Sequence, residues 1–212
     1  MFDNGGFPSS PRAYQRQNEL VELLKAWGGT TLAFAIVHWK LLGIAQALLI
    51  MAIAAGLGIV LHELAHRAVA RRFGAQAHFM ANDLMLIVSI LMAFTGMLFA
   101  APGAVWHSGY VTKRQVGLIA AAGPATNMAL AVLSLLLMLV FRTAQWRLPF
   151  NIAAYSYLIN ALLGLFNMLP LGPIDGAKIL DWDPKIFTAM AAVGGLIFAL
   201  RYIFPGLFAF GF

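Results

Sequence analysis

Two histidines four residues apart, with a glutamate between them, are the side chains of this chain best placed to do chemistry: His62-Glu63-Leu64-Ala65-His66. Four residues make about one turn of an α-helix, so both imidazoles leave the same face. At that spacing they can grip one Zn2+. Glu63 lies about 100° further around the helix, where its carboxylate can touch water beside the ion without ligating it. Two polar residues on a buried helix, satisfied by hydrogen bonds, would be the plainer reading. It loses weight because the motif ends a long apolar run, and ionisable side chains in a bilayer are costly and functional by default.

The elements that must hold this motif are membrane elements. The 212 residues are 61% hydrophobic and only 10% charged, with a mean hydropathy of +0.82. That composition belongs to an all-α polytopic membrane protein and not to a soluble domain. No long polar block or repeat marks a second domain, so the chain divides into an N-terminal cytoplasmic segment, 1–25, and one integral membrane domain, 26–212. The net charge of +6 is spread over loops as topology signals, which excludes a nucleic-acid patch. There is no cysteine, so disulfides and thiolate ligands are ruled out.

Along the chain, five to six transmembrane helices are expected. The apolar run 26–39 is short for a span and extends past Lys40, which can snorkel. A second run, 41–61, continues through the motif to Val69 and is closed by Arg67, Arg71 and Arg72. Residues 84–101 are apolar, but the basic residues on both flanks place both ends on one side, so this segment re-enters or forms a hairpin; a plain crossing helix is the alternative. After the break at Pro102-Gly103, Ala104-Val105-Trp106 is expected as a strand edge near the site. Further spans are expected at 116–141, where Asn127 needs a partner in lipid, at 150–169, and from 186 to the C-terminus. The basic residues of 12–25, 67–72, 113–114 and 178–185 then face the cytosol, with Lys40, Arg142, Arg147 and Arg201 as exceptions. The site therefore lies in the plasma membrane toward the cytoplasmic side.

A hydrolytic zinc site takes three protein ligands and keeps one position open. The candidates for the third are few, since the chain holds five histidines, His62 and His66 included, and eight acids in all. Asp3, Glu19 and Glu22 fall in the polar head, Asp83 beside the re-entrant segment, and Asp181 and Asp183 in a loop. Asp175 follows two prolines and two glycines at an interrupted helix near the depth of the motif. Aspartate in such a turn commonly caps a helix, but beside His62 and His66 ligation is the better reading. His38, His78 and His107 read as structural or loop histidines.

Taken together, several motifs carry a resemblance: His62-Glu63-Leu64-Ala65-His66 with the trailing Ala70-Arg71-Arg72-Phe73-Gly74, then Ala122-Gly123-Pro124 with Asn127, then Asn167-x-x-Pro170 followed by Asp175-Gly176. From about Leu61 to Gly176 the chain resembles the site-2 protease family of intramembrane zinc metalloproteases. Ile174 stands where the family often has leucine, and Leu171-Gly172-Pro173 shifts the turn slightly. Nothing like a PDZ insertion or a nucleotide-sensing CBS tail is seen, so the chain looks like a minimal core. The resemblance implies one Zn2+ per chain on His62, His66 and Asp175, with Glu63 as catalytic base and Asn167 holding substrate or oxyanion. It also implies a substrate that is a transmembrane-helix protein, cut during regulated intramembrane proteolysis, with membrane lipid as the surroundings. The alternatives are a non-catalytic scaffold or chaperone and a metal-ion transporter, neither of which needs Glu63 beside the metal.

Overall fold

A computed structural model describes residues 19–98, 103–108 and 110–209, with only the backbone at 106–108. Most of the expected cytoplasmic segment, the end of 84–101 and Pro102 lie outside the described residues. Helix α1 (Glu19–Leu42) turns at Gly43 into a second rod in which α2 (Ile44–Met51) and α3 (Leu57–Arg72) are joined by a π-helical segment, Ala52–Gly56. Gly43 has φ 74°, a conformation open to glycine and strained for other residues. The rods fold back on each other: the Trp27 indole N–H donates to the Ala52 carbonyl at 3.0 Å. The first span already includes Glu19 and Glu22, within the stretch expected to be polar.

Strand β1 (Gln76–Ala81), helix α4 (Asp83–Ala93) and strand β2 (Gly103–Ser108) follow. The 11 residues of α4 reach about 16 Å, half of a hydrocarbon core of about 30 Å. β1 and β2 pair antiparallel, Gln76 opposite Ser108 through to Ala81 opposite Gly103. The chain therefore leaves at Ala81 and returns at Gly103 side by side, a hairpin geometry of the kind expected for a segment with both ends on one side. The strand expected at Ala104–Trp106 is present within β2; its partner β1 was not anticipated.

Helices α5 (Lys113–Thr143), α6 (Arg147–Phe166), the short α7 (Asp175–Trp182) and α8 (Pro184–Ile203) complete the bundle. Thr112 and Gln115 form a capping box at the start of α5. The main core packs Met128, Ala131 and Met138 of α5 against Ala153, Ala154, Tyr157 and Ala161 of α6, with small residues allowing close approach. Tyr157 donates its hydroxyl hydrogen to the Ile197 carbonyl of α8. Among the described residues five helices, counting Ile44–Arg72 as one, are long and apolar enough to cross a membrane. The protein is an all-α polytopic membrane protein carrying one small two-stranded sheet.

Candidate metal centre

His62 and His66 leave the buried face of α3, and Asp175 approaches them from the first turn of α7; each is 7% exposed. The two Nε2 atoms are 3.0 Å apart. Asp175 Oδ2 lies 3.3 Å from His62 Nε2 and 3.0 Å from His66 Nε2. A tetrahedral ion with bonds of about 2.0–2.1 Å sets its donors about 3.3 Å apart, so this triangle matches one small cation.

The protons agree with the distances. His66 Nδ1 meets the Ile119 carbonyl at 2.7 Å, and His62 Nδ1 meets Asn127 Oδ1 at 2.5 Å. Both partners are acceptors, so each Nδ1 carries the hydrogen and each Nε2 presents a lone pair. Two lone pairs and a carboxylate oxygen thus converge in a buried space, an arrangement that repels itself until a cation joins it. Among the described residues this is the group able to hold a metal ion.

The orientation of Asn127 is itself set. Its Nδ2 donates to the Gly58 carbonyl at 3.1 Å and to Asn160 Oδ1 at 2.8 Å. Asn160 Nδ2 donates in turn to the Ser156 and Ala54 carbonyls at 2.9 and 3.3 Å. Main-chain carbonyls therefore fix Asn160, Asn160 fixes Asn127, and Asn127 fixes the tautomer of His62. Gly123 has a steric role here: a Cβ on it would overlap the Nε2 atoms of both histidines. Pro124 next to it interrupts the hydrogen-bond ladder of α5.

A cavity of about 160 Å³ opens from the three donors, lined by Glu63, Asn167, Lys178 and residues 103–105 of β2 among others. Glu63 has no hydrogen-bond or ion-pair partner among the described residues and lines this space. Lys178 Nζ contacts the second oxygen of Asp175, Oδ1, at 3.3 Å. Asn167 lines the cavity while its Nδ2 donates to the Leu163 carbonyl at 2.9 Å, and its own carbonyl accepts from Gly176 N at 2.7 Å. The break after α6 is thereby tied to the start of α7.

Asp175 is not a helix cap: the cap of α7 is Ile174, without a side-chain bond. His38 is structural, its Nδ1 donating to the Phe34 carbonyl at 2.8 Å. His78 lies in β1 and His107 in β2, outside the three-residue group. Sequence reasoning missed Asn160, whose one signal was an amide within a span, and took Lys178 for a topology charge.

Comparison with known proteins gives the site a lineage. MJ0611 of Methanocaldococcus jannaschii, a zinc metalloprotease by name, is 38% identical over 174 residues, 81% of this chain and 88% of that protein. Rip3 of Mycobacterium tuberculosis is 31% identical over 184 residues; the match covers 83% of this chain but 42% of Rip3, so the chain spans less than half of that relative. YwhC of Bacillus subtilis is 28% identical over 169 residues, 68% of this chain and 76% of that protein. Both are also named as zinc metalloproteases. No protein-family model and no solved structure matches the chain. With a buried donor set that suits one zinc ion and a relative of this similarity over most of its length, the chain belongs to the site-2 protease family of zinc metalloproteases.

Proposed function

We propose that the protein is an intramembrane metalloendopeptidase that hydrolyses a peptide bond within or near a transmembrane helix of a membrane-protein substrate, in regulated intramembrane proteolysis. One observation carries this reading: the unpartnered carboxylate of Glu63 shares one cavity with the three metal donors and with the backbone of β2. Zinc held by His62, His66 and Asp175 would lower the pKa of water toward ~7 and polarise a carbonyl. Glu63 takes a proton from the attacking water and delivers it to the departing amine nitrogen. Asn167 has a second amide hydrogen beyond the one used on Leu163, available to the scissile oxygen as it gains charge.

A helical substrate must unwind to be cut, since its peptide groups are paired internally. The hairpin suits an unwound segment. Phe79 and Ala81 donate their N–H groups away from β2, to Glu19 and Glu22. Their register partners Val105 and Gly103 therefore turn their own peptide groups outward on the opposite side. Residues 103–105 border the cavity, so an extended peptide added to this edge would lie beside the metal donors. In this reading the active site faces the cytoplasmic side of the plasma membrane, by the distribution of basic residues.

The test is zinc content together with cleavage of a single-span reporter by the wild-type protein and by Glu63→Gln, with and without chelator. Cleavage that needs both zinc and Glu63 is expected. A protein that binds zinc and never cuts would fit a scaffold, and metal flux without cleavage a transporter.

A further inference from the structure

Strand β1 has two edges, and the one facing away from β2 is filled by side chains from α1 and from the end of α3. At Ala77 the carbonyl accepts from Arg71, Nε at 3.2 Å and Nη2 at 2.9 Å. At Phe79 the N–H donates to Glu19 Oε1 at 3.1 Å, and at Ala81 the N–H donates to Glu22 Oε2 at 3.0 Å. Residues 77, 79 and 81 are alternate positions, the ones whose peptide groups point outward in this register. Just beyond the strand, Asp83 Oδ2 meets Lys25 Nζ at 3.2 Å. Steps of three along α1 (Glu19, Glu22, Lys25) thus match steps of two along the chain opposite (Phe79, Ala81, Asp83). Three helical residues rise about 4.5 Å and two strand residues about 6.6 Å, a gap that long side chains absorb.

The clamp is charge-balanced and tied to the metal helix. Glu19 also pairs with Arg67 at 3.2 Å and Arg71 at 3.6 Å, both on α3. Glu22, only 5% exposed, pairs with Lys25 at 3.0 Å. An open strand edge invites pairing with any extended chain. Here one edge of the hairpin is closed by carboxylates and a guanidinium, and the other, on the cavity, has no such partner among the described residues.

We propose that Glu19, Glu22 and Arg71 are positioning residues for substrate: they make the hairpin one-sided and fix the height of β2 relative to His62 and His66, so that an extended peptide adds on β2 alone and in one register. This rests on the strand-addition reading above. Its distinctive consequence is in which bond is cut. Loosening the clamp leaves the metal donors in place and lets the strand, with the peptide paired to it, shift along the site.

The experiment uses the full-length protein in lipid nanodiscs with a single-span reporter. It measures zinc content, amide hydrogen exchange at residues 79 and 81, KM, kcat and, by mass spectrometry, the bonds cut. Glu19→Ala/Glu22→Ala is expected to keep its zinc, exchange those two amides roughly tenfold faster or more, raise KM more than it lowers kcat, and spread cleavage over neighbouring bonds. Glu19→Gln/Glu22→Gln keeps an acceptor at each position and should restore a single cut. Ala81→Pro removes one donor while leaving both glutamates and their basic partners, and should reproduce part of the alanine phenotype should the double variant fail to fold. Val105→Pro separates the two ideas, because it removes an outward N–H on β2. If it retains zinc and cuts as wild type, strand addition fails and this proposal with it. If it loses cleavage while Glu19→Ala/Glu22→Ala and Ala81→Pro keep wild-type KM and cut site, only the clamp is overturned.

Discussion

The two walls of the metal cavity are built on opposite terms. The wall made by α3, α5 and α7 and backed by α6 is closed: the Nδ1 atoms of His62 and His66 and the amides of Asn127 and Asn160 are each directed at a named partner inside the bundle. The opposite wall is residues 103–105 of β2, part of the β1–α4–β2 excursion, a two-stranded sheet whose outer β2 edge has no partner strand among the described residues and a helix whose Leu84, Ile87 and Leu91 are each more than half exposed. Chemistry needs donors that do not move, and recognition of an incoming peptide needs backbone groups left unpaired. The molecule supplies these from different parts of the chain, so each can be damaged without the other.

The largest expected break falls on the closed wall. Glu63→Gln should cut peptide hydrolysis by ~10²–10⁴, the usual weight of a general acid–base group, while zinc content stays at wild-type level. Undiminished cleavage by that variant would remove Glu63 from the mechanism. Asn167→Ala should follow with a loss of kcat of ~10² and normal zinc, if its amide meets the developing oxyanion. Loss of zinc or of folding would instead assign Asn167 wholly to the backbone at Leu163. Asn127→Leu acts one step further from the reaction. It leaves His62 Nδ1 without its acceptor and should weaken zinc binding about 10–100-fold, read by competition with a calibrated chelator; unchanged affinity would show that the asparagine pair does not orient the ligand. The smallest effect tests the open wall. Single cysteines replacing the exposed Gln76 and Tyr110, at the start and the end of the excursion, should barely alter activity and should both label from the same face of sealed vesicles, the cytosolic one. Labelling from opposite faces would make 84–101 a crossing.

The closed wall was more legible in the sequence than the open one, for physical reasons. His62, Glu63 and His66 lie within one helical turn, so their geometry follows from spacing alone. Asp175 is remote, but a chain with no cysteine and eight acids leaves few candidates, and a Pro/Gly break marked its place. Asn160 carried no such mark; its role depends on Asn127, 33 residues away in sequence. In the open wall, Ala104–Trp106 follows a Pro-Gly break and could be read as a strand. Gln76–Ala81 has little β-propensity and exists by pairing with β2 and with α1. Glu19 and Glu22 looked like solvated charges ahead of the first span because what they bind lies 60 and 59 residues downstream.

The π-helical turn at Ala52–Gly56 bears on how this chain tolerates changes in length. Such a turn houses one surplus residue within an otherwise regular helix. Deleting a single residue there should leave an unbroken α-helix with His62 and His66 still facing Asp175. What it disturbs are the carbonyls of Ala52, which also accepts from Leu57 N–H, and of Ala54, which receive Trp27 and Asn160. The same deletion a turn later, among residues 57–61, has no slack to absorb it and would swing the motif by about 100°. Zinc retained in the first deletion and lost in the second would mark these five residues as the place where an insertion could enter the catalytic rod during descent without turning its ligands.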